Sequence, residues 1–170
     1  NGGRPVAADA ETTAQARSTT AHNTVVIAGQ PSGELVRNPV LEEMIAGVPL
    51  RGPRCVTITA LDGEDGSGAC AIEASHDGYY RATRLIHRRR IEVAADGRRL
   101  HGVDRLYGQR GAVRLSRDQP FAIGFNIDPE LATSFDPAAR TVEIALKSGE
   151  RWTFSAEGAV LSLEAAMQFA

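Results

Sequence analysis

From Arg54 onward the apolar residues of the chain recur at every second position, the period that sends successive side chains to opposite faces of a strand. Val56, Ile58 and Ala60 alternate with Thr57 and Thr59, and Asp62-Gly63-Glu64-Asp65-Gly66-Ser67-Gly68 turns the chain into 69–75, which together predict a hairpin. A second hairpin is predicted from 85–94 and 98–106, joined at Ala95-Asp96-Gly97, where Asp-Gly supplies the positive backbone angle a tight turn requires. Phe121, Ile123, Phe125 and Ile127 share one side of a further strand that Pro129 ends. Val142, Ile144 and Leu146 repeat the pattern, Lys147-Ser148-Gly149-Glu150 turns it, Trp152 and Phe154 resume it as core residues, and 160–164 reads as a last strand. About ten short strands with turn signals between them and no βαβ alternation predict an all-β fold, a two-layer antiparallel β-sandwich. No internal repeat or linker interrupts 1–170, so one domain is expected.

The chain before Arg54 is less regular. Residues 1–20 are small and polar without an apolar face and read as an extended lead-in along the surface. Thr24-Val25-Val26-Ile27 is β-branched and predicts a buried strand over 21–28, closed by Gly29-Gln30-Pro31-Ser32-Gly33. His22 then sits at the strand's entrance. Leu35, Val36, Val40, Leu41, Met44 and Ile45 fit a short amphipathic helix over 39–46, with Asn38-Pro39 as its start.

Charge narrows the functional classes. The formal net charge is −2, which gives no electrostatic case for nucleic acid. No apolar run approaches membrane-spanning length, so no membrane insertion is expected. Of the nineteen basic residues only Lys147 is lysine, a bias that fits a GC-rich genome better than a dedicated anion surface. The chain opens Asn-Gly-Gly without methionine and reads as a processed product or an excised piece. A hairpin centred near Asp65 sets Cys70 opposite about Thr59 and Cys55 opposite about Ala74, so the two cysteines are read as free, packed thiols, and the redox compartment stays open.

Four clusters carry chemistry. His22, with Arg17 and Asn23 beside it, joins an imidazole able to ligate a metal to polar groups able to meet substrate oxygens, against the reading of a surface histidine at a strand start. His76-Asp77-Gly78-Tyr79-Tyr80 offers an imidazole, a carboxylate and phenols to a sugar cleft, against a plain Asp-Gly turn with a tyrosine in the core. In His87-Arg88-Arg89-Arg90, strand parity puts Arg88 and Arg90 on the face of Ile86, and Arg89 with His87 and Ile91. A solvated edge competes there with a clamp for an anionic polymer, for which Arg89 is the candidate. Asp104-Arg105 reads as an internal salt bridge or as strand-end hydrogen bonds. No nucleotide-binding glycine pattern, nucleophile elbow or Cys-x-x-Cys pair is present.

Ala21-His22-Asn23-Thr24-Val25-Val26 preceded by Ala16-Arg17-Ser18-Thr19, then His76-Asp77-Gly78-Tyr79, His87-Arg88-Arg89, Gly149-Glu150-Arg151-Trp152-Thr153-Phe154 and Leu161-Ser162-Leu163-Glu164, resemble in order the C-terminal half of heparinase II/III-like proteins. These are polysaccharide lyases built from an N-terminal α/α toroid and a large β-sandwich. The resemblance implies that the chain is the sandwich, that the toroid is absent from it, and that the toroid and an acidic polysaccharide are its partners. It implies β-elimination on a uronate polymer by the intact protein, with the acid–base residues on the toroid and no catalytic residue in this chain. Arg17, Asn23, His76, Tyr79 and Arg89, singled out above, are then the candidate substrate-binding residues, and the resemblance makes His22 a ligand of a zinc in the intact protein. The upstream histidine ligand of such sites has no counterpart here, and Asn1-Gly2-Gly3 falls where members carry Asp-x-Gly. Phe125-Asn126-Ile127-Asp128-Pro129 likewise stands where many relatives carry two histidines. The resemblance implies the periplasm or cell envelope, with the cytoplasm left open. The alternative is a non-catalytic carbohydrate-binding or structural sandwich that packs on a helical domain.

Overall fold

The computed structural model describes residues 15–34, 36, 38–44, 51–62, 68–108 and 119–165. They form nine strands in antiparallel sheets with two short helices and a 3-10 turn, an all-β architecture in keeping with a sandwich. The chain divides into two compact units, Asn1–Gly124 and Phe125–Ala170. Among the described residues no helix is long and apolar enough to cross a membrane.

The first unit holds a four-stranded sheet in the order β2 (Val56–Asp62), β3 (Cys70–His76), β4 (Leu85–Val93) and β5 (Leu100–Gly108), and a two-stranded one of β1 (Val25–Ile27) and β6 (Phe121–Ile123). Val25 and Ile27, both fully buried, pack with Tyr79 and Leu85, and Leu106 and Ile123 close around them. Each such aliphatic side chain taken from water contributes about 1.5–3 kcal/mol. The core therefore sits where β1 covers one end of the larger sheet. Alternation gives that sheet an inward face with Leu85, His87, Arg89, Asp104 and Leu106, and an outward face with Arg88, Arg90, Arg105 and Tyr107. Away from the core Val56, Ile58, Ile72 and Leu100 are exposed, Ile58 to 68%.

The predicted hairpins are present, with one change of register. Val56 pairs with His76, and Cys70 lies opposite Asp62 rather than Thr59. Both cysteines are free as expected, but they are exposed rather than packed. In the second hairpin the Gly97 amide donates to the Ala94 carbonyl at 2.8 Å and Gly97 takes φ 67°, the angle foreseen for Asp-Gly. Between β3 and β4 a single helical turn, α2 (Tyr80–Thr83), is stopped by Arg84 in the left-handed region. The earlier helix α1 spans Pro39–Met44, and the Asn38 side-chain oxygen accepts the Val40 and Leu41 amides at its start. Residues 45 and 46, also predicted helical, lie outside the described residues.

The strand predicted over 21–28 is shorter. Thr19–Ala21 is a 3-10 turn, and 15–18 before it are turned rather than extended, while 1–14 of the predicted lead-in lie outside the described residues. The reason is local: the buried Thr19 hydroxyl accepts the Ser32 amide at 3.0 Å, which holds the segment out of the ladder. Ala28 and Gly29, both at positive φ, end β1 on the other side.

In the second unit β7 (Ala132–Asp136), β8 (Thr141–Ala145) and β9 (Arg151–Ser155) form a meander. Strand β7 carries no predicted alternation. The strand was not predicted; the turn after it is held by the Asp136 carboxylate, which accepts the Ala138 and Ala139 amides. The strand through Phe125 and Ile127 stops at Ile123 because its partner β1 is only three residues long, and the Phe125 ring instead meets Phe154 at 5.1 Å. Trp152 is 37% exposed, which corrects its reading as a core residue. Residues 160–164 are not a strand: apolar spacing supplies no hydrogen-bonded neighbour, and Val160 stands exposed.

Candidate functional site: a buried polar chain under an exposed rim

Beside the core, four side chains from three strands, His76, His87, Asp104 and Arg89, form one hydrogen-bonded chain on the inward face. The Gly78 amide donates to His76 Nδ1 at 3.2 Å. An amide can only donate, so that nitrogen carries a lone pair and the His76 proton sits on Nε2. His76 Nε2 lies 3.3 Å from His87 Nδ1, which must then accept, leaving the His87 proton on Nε2. From there it donates to Asp104 Oδ1 at 2.6 Å. Arg89 closes the chain with a fork onto the same carboxylate, Nε to Oδ1 at 2.8 Å and a terminal nitrogen to Oδ2 at 3.0 Å. Its other terminal nitrogen donates to the Asn23 carbonyl. Tyr79, beside the His76 ring at 5.5 Å, donates its hydroxyl to the Val25 carbonyl.

The donor order matches the electrostatics. Burial lowers the pKa of His76 below its ordinary value, the nearby His87 lowers it further, and Asp77 pulls weakly the other way. For Asp104 burial pushes upward, but hydrogen bonds from His87 and Arg89 and the Arg89 charge outweigh it, so the carboxyl is held below its ordinary value. Burial raises the Tyr79 phenol against the pull of the Ser32 hydroxyl. His87 is 4% exposed, yet both its nitrogens are used, as a buried imidazole requires.

Close approach fixes the Gly78 end of the chain. A Cβ there would stand 2.5 Å from the Ser32 carbonyl oxygen and 3.0 Å from His76 Nδ1. Asp77 beside it accepts the Arg54 and Cys55 amides and so holds the entry to β2.

The structure brings together four of the residues singled out in the sequence. His76, Tyr79 and Arg89 join the chain or its wall, and Asn23 enters through its carbonyl. Tyr79, expected at a substrate cleft, is 1% exposed and belongs to the core. Arg89 is occupied by Asp104 and Asn23 rather than held open for a polymer. His22 and the Asn23 side chain are exposed, and Arg17 is half-buried. His22 is one donor where a structural zinc takes four. Among the described residues no three His, Cys, Asp or Glu side chains gather into a metal site. Any zinc would therefore take its other ligands from elsewhere.

Two members were singled out in the sequence but given other partners there. Asp104 pairs with Arg89 and His87, not with its neighbour Arg105, which parity sends to the other face. His87 is the centre of the chain rather than the first residue of a basic run. A signal for both was present: a hairpin folded at Asp96-Gly97 places Arg89 opposite Asp104 because the two are equidistant from the turn.

The buried chain thus ties the β1 entrance, with its exposed imidazole and carboxamide, to the centre of the larger sheet. No curated protein and no solved structure gives a significant match to this chain. The order of motifs in the sequence, the antiparallel sheets they fold into, and a match over residues 1–169 to the family described as "Heparinase II/III-like, C-terminal" agree, and the chain belongs to that family.

Proposed function

We propose that this chain is the β-sandwich part of a polysaccharide lyase acting on a uronate-containing polymer, and that it supplies one wall of the cleft without turnover of its own. In such a reaction a base removes the proton next to the uronate carboxylate, polar groups steady the enolate-like charge, and the 4-linked sugar leaves. His22, Asn23 and Arg17 are the residues of this chain assigned to that wall, and the acid–base pair is assigned to a helical lobe. The observation that carries the reading is the anchoring of the rim: Arg89, locked on Asp104, grips the Asn23 carbonyl next to the exposed His22. A group that must meet a transition state gains from such pre-positioning.

The test is formation of unsaturated uronate from heparan sulfate and from alginate, followed by ultraviolet absorbance. A protein carrying this domain together with the helical lobe is expected to turn over, and the 170-residue chain alone is not. His22→Ala in the two-lobed protein is expected to cut kcat by about 100-fold, the scale of one positioned polar group. Vigorous turnover by the chain alone, or full activity of His22→Ala, overturns the division of labour.

A second reading has its own observation. Val56, Ile58, Ile72 and Leu100 are exposed on an otherwise inward face, which favours a structural sandwich that packs on a helical domain. Concentration-dependent self-association of the isolated chain, abolished by Ile58→Glu, supports it.

A further inference from the structure

The outward face of β4 and β5 has a feature that the wall of a cleft does not require. Arg88 and Arg105 stand directly opposite each other across the two strands. Like charges in that position repel, so a pair kept there needs compensation. The compensation within the fold is partial. Arg88 lies with its guanidinium carbon 5.1 Å from the centre of the Tyr107 ring and reaches Glu73 at 3.5 Å. Its Nε is buried with no hydrogen-bond partner among the described residues. Arg105 is exposed and makes no ion pair among the described residues. Arg90, next along the face, is taken by Glu92 at 3.2 Å. Between the two unsettled guanidiniums lies an open depression of about 410 Å³ bounded by Arg88, Arg105, Leu106 and Tyr107.

We propose that this depression is an oxyanion-binding subsite for an acidic sugar chain, with a uronate carboxylate or a sulfate ester seated between Arg88 and Arg105. An oxyanion there turns the repulsion into two charge-assisted contacts, one with each guanidinium. Two features point to a single anionic group on a ring rather than to a phosphate backbone or a lipid surface. The positive notch is flanked by Glu73 and Glu92 within a chain of net charge −2, so no broad basic field surrounds it. The Tyr107 ring, on the same outward face, gives it an apolar wall against which a sugar's C–H face can pack. The anion site rests on this geometry alone. The choice of a sugar as carrier rests on the lyase reading.

The test is calorimetric titration of the 170-residue chain with four probes: inorganic sulfate, an oligouronate, a sulfated oligosaccharide of equal length and a neutral oligosaccharide. At least one acidic oligosaccharide is expected to bind and the neutral one not. Arg105→Gln is expected to weaken binding by about tenfold, the scale of one charge-assisted contact, with Arg105→Lys between the two. Arg98→Gln, which removes the same charge from the exposed β4–β5 turn, is expected to bind as the unsubstituted chain does. The preferred acidic probe identifies carboxylate or sulfate as the natural group. Equal weakening by Arg98→Gln and Arg105→Gln, or no weakening by either, overturns the site. Binding of sulfate without either acidic oligosaccharide overturns the sugar. Loss of lyase activity in His22→Ala bears on neither outcome, so the two proposals fail separately.

Discussion

Arg88 and Arg89 are neighbours in one strand and have opposite fates. Arg89, on the inward face, spends its guanidinium on both oxygens of Asp104 and on the Asn23 carbonyl. Arg88, on the outward face, faces another arginine, shares a long contact with Glu73, and leaves a nitrogen without a partner among the described residues. A run of three arginines is therefore not one motif. Strand parity cuts it into a structural cation and a cation with capacity to bind, and the partner across the hairpin decides which is which.

The largest way to break this contrast is to remove the inward carboxylate. Asp104→Ala leaves a mostly buried guanidinium and an imidazole without their acceptor, and is expected to cost about 3–5 kcal/mol in denaturant unfolding. A loss below about 1 kcal/mol, the range of exposed pairs, places Arg89 in the same class as Arg88.

A smaller effect is expected from acid. Both shifted groups of the inward chain have folded pKa values below their ordinary ones, 6.5 for His76 and 3.8 for Asp104. The unfolded chain then binds more protons than the folded one, so each group's contribution is complete above its ordinary value and is lost as pH falls through the folded value. Stability should begin to fall just below pH 6.5 through His76 and fall again below pH 3.8 through Asp104. In His76→Gln the first decline should vanish and the second remain. An unchanged profile removes His76 from the chain.

The smallest effect is on the outward face and has the opposite sign. Arg105→Gln relieves the repulsion with Arg88 and should raise stability by a few tenths of a kcal/mol, up to about 1. A clear loss means that Arg105 is already paired within the fold, and the contrast between the faces closes.

Much of this was legible in the sequence. Period-two alternation and Asp-Gly turns locate β2 to β5, β8 and β9, because pattern and turn chemistry act locally. Asn38-Pro39 locates α1 for the same reason. Register is harder to read. Cys70 lies three residues from its expected partner because a seven-residue turn of glycine, acid and serine does not define its own centre, whereas Asp96-Gly97 does. The His76–His87–Asp104–Arg89 chain was hidden because its members meet only once two hairpins are in register. The exposed Trp152 and the missing strand at 160–164 show the limit of alternation, which says that a side chain has a face but not that anything covers it.

The central claim is that the polar residues of the inward face form one closed chain with a fixed direction of donation, reaching from Gly78 to the rim at Asn23. Ring-nitrogen NMR of His76 and His87 at neutral pH reads that direction. The account requires both protons on Nε2 and both Nδ1 atoms bare, with the His87 Nε2 proton shifted far downfield by Asp104. A proton on Nδ1 of either ring breaks the chain at that point and contradicts it.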